Sequence, residues 1–172
     1  RREPFQPGVR YENPKEPPVY TVFLGRLGQL STDLLRLKPA LIYLPADEAA
    51  AHPEAVRRCR EAEVPVAAAL PRICTDAELP QLERDLIALR ELGVEEALAG
   101  TWGAVRRAER LGFRVRGDYG LGVYNSQTMK ELKRLGLISA TLSFELKFPQ
   151  MRDISKAVPT EFVAYGRLPL MI

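Results

Sequence analysis

The chain of 172 residues has one histidine, two cysteines, one tryptophan and three methionines. A lone histidine, His52, cannot make a Ser/His/Asp set unaided, and nothing in the sequence marks partners for it. It stands before Pro53 in a loop and reads as solvent-facing. Cys59 and Cys74 show no CxxC spacing and no adjacent histidine. That excludes a familiar metal motif and does not call for an oxidising compartment. No apolar run approaches the roughly 20 residues that span a bilayer, so neither a transmembrane segment nor a membrane partner is expected. The chain begins at Arg1 with no charged-then-apolar leader, which points to a piece of a longer cytoplasmic protein. Charge of one sign is scarce too. The 25 Lys+Arg against 22 Asp+Glu leave +3, a weak surplus beside nucleic-acid binders that gather cations on one face.

What is present is an ordinary globular mixture, 46% apolar and 27% charged, at a length that buries a real core. Residues 1–18 hold Pro4, Pro7, Pro14, Pro17 and Pro18. Proline fixes φ and removes a donor, so this stretch reads as a linker or surface arm, and residues 19–172 as the domain. Within it, short Val/Ile/Leu-rich runs alternate with segments of helical period. The expected strands are Tyr20–Leu24, Leu41–Leu44, Pro65–Leu70, Glu96–Ala99, Phe113–Arg116, Ala140–Ser143 and Glu161–Tyr165. The expected helices are Leu27–Leu37, Pro53–Ala62, Asp76–Leu92, Thr101–Leu111, Ser126–Leu135 and Pro149–Val158. Thr75 and Glu78 have capping-box spacing before the third of these, where Pro80 favours a later start. Leu92-Gly93, Leu111-Gly112 and Leu135-Gly136 each close a helix before a strand, because glycine enters the left-handed conformation cheaply. The pattern is an α/β fold of repeated TIM-barrel-like βα units on a parallel sheet. About seven strands in so short a chain make an incomplete barrel.

In parallel α/β folds chemistry gathers at the carboxyl ends of strands. Arg72 and Cys74 follow the third expected strand, Asp118, Tyr119 and Asn125 the fifth, Glu145 and Lys147 the sixth, and Arg167 the seventh. Asp118 and Glu145 are the acids placed soon after a strand with apolar sequence before them. Two carboxylates at one rim can act as general acid and base or hold a cation. The plainer alternative is that each caps a helix or pairs with Arg167 or Arg72. The glycines of Gly117 to Gly122 do not follow the dinucleotide pattern and read as a bulge or a close backbone approach. Asn125 has the place of a helix N-cap, with a ligand contact as the other reading. Cys59 reads as a small core residue. Cys74, near Arg72, is a candidate for a lowered pKa. The basic groups Arg57/Arg58/Arg60, Arg106/Arg107/Arg110 and Lys130/Lys133/Arg134 fall on outer helices and read as solvated faces.

The second half carries more specific segments: GDYGLGVYNSQTMKELKR from Gly117 to Arg134, ATLSFEL at 140–146, KFPQMRDI at 147–154 and EFVAYGRLPLM at 161–171. In combination these resemble the U32 peptidase family of collagenase-like bacterial proteins, in particular its longer, multi-domain members. The resemblance implies a TIM-barrel-like domain of a peptidase, with a substrate pocket at the carboxyl strand ends. It also implies an alternative, an iron–sulfur-dependent hydroxylation factor acting on tRNA or rRNA. The cluster cysteines of such relatives begin just after the segment matched by Gly166 to Met171, and this chain has no cysteine beyond Cys74. No cofactor is therefore expected within the chain itself, and an iron–sulfur cluster belongs to the full-length protein. Carried over residue by residue, Asp118 and Glu145 become catalytic candidates, and Asn125, Ser143 and Arg167 substrate-binding candidates; Arg72 joins the latter by its place after the third strand. A third reading is a non-catalytic scaffold. The partners that follow are a peptide or RNA substrate, the rest of the parent chain, and a second copy paired through exposed strand edges.

Overall fold

The computed structural model describes Asn13 and residues 17–166. Most of the proline-rich arm, and Arg167, lie outside the described residues.

Seven strands alternate with helices: β1 (Thr21–Phe23), α1 (Thr32–Arg36), β2 (Leu41–Pro45), α2 (Ala46–Ala51), α3 (Pro53–Glu61), β3 (Val66–Ala69), α4 (Leu79–Glu91) and β4 (Glu96–Ala99). There follow α5 (Trp102–Arg110), β5 (Arg114–Gly117), α6 (Ser126–Arg134), β6 (Ser139–Thr141), α7 (Phe148–Asp153) and β7 (Thr160–Glu161). The sheet order is β1 to β7 in sequence, and every neighbouring pair is parallel. The expected α/β class and incomplete barrel are what the chain forms.

Local signals account for most boundaries. Thr101 caps α5 through Ala104 N–H, and Asn125 caps α6 by accepting from Gln127 and Thr128 N–H at 2.9 Å. Gly93, Gly112 and Gly136 take φ of 80°, 80° and 87°, the left-handed stop read from the sequence. Three helices differ from expectation. Leu27–Leu37 is not continuous: Leu27–Gln29 form a 3-10 turn, then the Ser31 hydroxyl caps α1 through Leu34 N–H. A hydroxyl that offers the backbone a cap breaks a helix that periodicity alone would continue. The Ala-rich α2, which follows β2 directly, was not expected; its Asp47 and Glu48 sit favourably at the positive end of the helix. The last expected helix ends at Asp153, because Ile154 turns extended and leads buried Ala157 and Val158 down to β7. In front of α4, Thr75 does bond Glu78, but in a turn one step upstream of a helix that starts at Leu79.

Two apolar clusters lie on the two faces of the sheet. The large one packs outward-facing Ile42, Leu44, Ala97, Val115 and Ala140 against Val56, Leu86, Val105 and Met129 of the helices. The small one, Leu41, Tyr43, Ala67, Ala69 and Leu98, faces inward. Period-two alternation then sends Glu96, Arg114, Arg116, Ser139 and Glu161 to that same inner face.

Laid flat, seven strands would put β1 and β7 about 29 Å apart, six spacings of about 4.8 Å. Yet Thr21 Oγ1 of β1 donates to Glu161 Oε2 of β7 at 2.8 Å. The sheet is therefore curled. Glu161 also accepts from Tyr43 Oη at 2.6 Å, Arg116 Nη1 at 3.1 Å and Ser139 Oγ at 3.3 Å. Arg116 reaches on to Glu96 at 2.5 Å. Asn13 donates to the carbonyls of Arg152 and Ile154 and accepts from Lys156 N–H, around α7 and the turn after it. Asn13 is thus tied to the segment that leads into β7. Side chains fasten the curled sheet where no described strand pairs β7 with β1.

Candidate functional site

Because all seven strands run parallel, the loops after β3, β4, β5 and β6 open at one pole. Arg72, after β3, points its Nη1 at Tyr119 Oη, 3.0 Å away, and its guanidinium carbon lies 4.8 Å from the centre of the Tyr119 ring. Tyr119, after β5, meets Phe144, after β6, edge to face at 5.5 Å. Asp118 is half-buried beside them and accepts from Tyr119 N–H at 2.8 Å. Burial pushes its carboxyl above the ordinary range; the Tyr119 N–H and Arg72 oppose that, and Glu161 adds to it.

The floor of this cluster is glycine. A Cβ at Gly100 would stand 3.4 Å from Asp118 Oδ2 and 3.8 Å from the Arg72 stem. A Cβ at Gly120 would stand 2.5 Å from the Gly100 carbonyl oxygen, a separation real side chains do not adopt. The close approach expected of this glycine stretch is the contact between the loops after β4 and β5. Gly122, with φ of 68°, then turns the chain toward α6.

The remaining sequence candidates lie around this cluster. Glu145 is exposed and accepts from Tyr124 Oη at 2.9 Å. The charges that act on Asp118 are Arg72 and Glu161 rather than Glu145. Ser143 is buried, and its hydroxyl accepts from Glu145 N–H at 3.3 Å. Asn125 spends its carbonyl oxygen on the α6 cap. His52 is exposed, with Glu54 3.3 Å away. Cys59 is a core residue, and burial pushes its thiol up to about 11. Cys74 corrects the expectation of a lowered pKa: burial first and Glu78 second raise it.

Sequence reasoning left Tyr119 as a bystander and Glu161 as a strand residue. The alternation of β7 is the signal that could have turned Glu161 inward, but two residues of strand are too few to read it. Burial and Glu161 raise Tyr43 Oη far above the ordinary phenol value. A cleft of about 540 Å³ opens at the opposite, amino-end pole. Arg114 and Arg116 of its lining engage Glu96, and Glu63 is paired with Lys38 outside it. The candidate site is the carboxyl-end mouth, where among the described residues Arg72 forms no ion pair and burial raises the Asp118 carboxyl.

A family model described as peptidase family U32 matches residues 48–172. The chain belongs to peptidase family U32. The matched region begins in α2, well before the Gly117–Arg134 segment, and takes in five of the seven strands, β3 to β7. Among solved structures, the U32 peptidase Mk0906 superposes with a TM-score of 0.57 at 14% identity, over 88% of this chain and 72% of that one. The 3-dehydroquinate dehydratase from Geobacillus kaustophilus HTA426 gives 0.50 at 17% identity, over 88% and 75%. At these identities the likeness is one of fold. No curated protein matches the chain.

The iron–sulfur cluster implied for some U32 proteins takes about four thiolates. The chain has two, one of them in the core. Among the described residues no group of three or more His, Cys, Asp or Glu is arranged to hold a metal. The residues present do not fit the cluster, and no step is derived through it. Among the described residues no helix is long and apolar enough to cross a membrane.

Proposed function

We propose that the carboxyl-end mouth of this U32 domain is a peptide-hydrolysing site in which Asp118 moves the proton. The observation that carries the reading is the convergence of Asp118, Arg72 and Tyr119 from two strands onto a glycine floor. Burial raises the Asp118 carboxyl above the ordinary aspartate range, which makes its carboxylate a stronger base than a free one. In its ionised form it accepts a proton from water as the water oxygen bonds to the peptide carbonyl carbon. It returns that proton to the amine nitrogen as the C–N bond breaks. The oxygen of Tyr119 is occupied by Arg72, which leaves its O–H free to donate to the carbonyl oxygen as negative charge builds there. Phe144 and Tyr124 line the approach as partly exposed rings.

The test is cleavage of gelatin or denatured collagen by the intact protein. Asp118→Asn lowers the rate by about 10²-fold or more, the usual scale for a lost general base. Intact substrate with the wild type, or undiminished cleavage with Asp118→Asn, overturns the reading.

A further inference from the structure

We propose that Arg72 is the anchor for a substrate carboxylate, a peptide's C-terminus or acidic side chain, at the mouth of the barrel. The inference deepens the peptide-hydrolase reading and rests on it. Arg72 is half-buried, its guanidinium held by the Tyr119 hydroxyl and laid over the Tyr119 ring. Both partners are uncharged. Among the described residues Arg72 forms no ion pair, whereas the equally half-buried Arg107 and Arg116 hold Glu83 and Glu96. A desolvated guanidinium is costly without an anion, and an external one makes the two-pronged contact that suits its planar fork. Tyr119 fixes one prong and leaves the other N–H groups to the mouth. Asp118 lies near enough for Arg72 to oppose the rise of its carboxyl, yet among the described residues no hydrogen bond or ion pair joins the two, and Asp118 spends an oxygen on Tyr119 N–H.

The surrounding charge favours one carboxylate over a polyphosphate. Asp118, Glu145 and Glu161 stand at or beneath the rim, and they repel a phosphate backbone. The exposed basic residues of α3, α5 and α6 face away on outer helices, partly matched by acids of their own such as Glu131 and Glu109.

The experiment titrates the protein with N-acetyl-dialanine bearing a free carboxylate and with the same peptide amidated, followed by backbone amide shifts in NMR. The carboxylate form saturates a site that moves Asp118 and Tyr119, and the amide binds about tenfold more weakly or worse. Arg72→Gln abolishes that preference. Equal affinity for the two peptides in the wild type overturns the inference, whatever Arg72→Gln does to folding. So does a short RNA oligonucleotide that moves the same amides at lower concentration than the peptide. Carboxylate preference together with Asp118-independent hydrolysis upholds this inference and sinks the role of Asp118. Asp118-dependent hydrolysis without carboxylate preference does the reverse.

Discussion

The hydroxyl of Thr21 donates a 2.8 Å hydrogen bond to Glu161, joining the first strand to the last across 140 positions of sequence. Glu161 is the meeting point of five strands: β1 through Thr21, β2 through Tyr43, β5 through Arg116, β6 through Ser139, and β7 itself. In a complete TIM barrel the interior is filled chiefly by bulky branched side chains. Here Ala67, Ala69 and Ser139 leave room for a charged network whose described buried atoms are all satisfied.

Removing donors from Glu161 tests this closure. Thr21→Val is nearly isosteric and costs about 0.5–1.5 kcal/mol, with faster amide exchange in β1 and β7. Tyr43→Phe costs about 1–3 kcal/mol, because Tyr43 is only 3% exposed and its loss leaves the half-buried Glu161 carboxylate short of a donor. The double variant departs from the sum, since both donors serve one carboxylate. Urea midpoints measure all three; strict additivity with unchanged exchange would remove Glu161 as a clasp.

Gly120→Ala tests the floor of the site. Its Cβ would meet the Gly100 carbonyl at 2.5 Å, backbone against backbone, so one loop must move. The cost is about 1–3 kcal/mol, the range for overpacking, and the amide shifts gather at Gly100, Asp118 and Tyr119. An unchanged midpoint and spectrum would show that the loops are not in contact.

The pH dependence of stability follows from Asp118. Burial raises its carboxyl in the folded chain above the ordinary value of 3.8, so between those two values the folded state binds more proton than the unfolded state. Stability owed to this group is therefore complete below 3.8 and lost as pH rises toward the folded value. Asp118→Asn lacks that loss. Relative to wild type, the variant gains stability as pH rises from the ordinary aspartate value through the raised folded value, and levels off above it. A difference that shrinks with rising pH would mean that the carboxylate is stabilised, not desolvated.

The alternation of strand and helix, the Leu-Gly stops and the Asn125 cap were legible because each depends on residues within a few positions of one another. The break at Ser31 was masked by a run of leucines whose spacing suits one long helix. α2 was masked by its shortness and its polar start. At the site, Asp118, Arg72 and Glu145 were legible as residues that follow strands, while their partners were not. Arg72 and Tyr119 lie 47 positions apart, and their stacking depends on how far two loops lean over the same mouth.

The sequence by itself determined a parallel βα protein with its polar residues at the strand ends, since backbone preferences and side-chain alternation act locally. Tertiary structure alone decided that the sheet would curl until Glu161 reached Thr21 and that Arg72 would rest on Tyr119. Strand twist and register accumulate over seven strands, and no short stretch of sequence carries that sum.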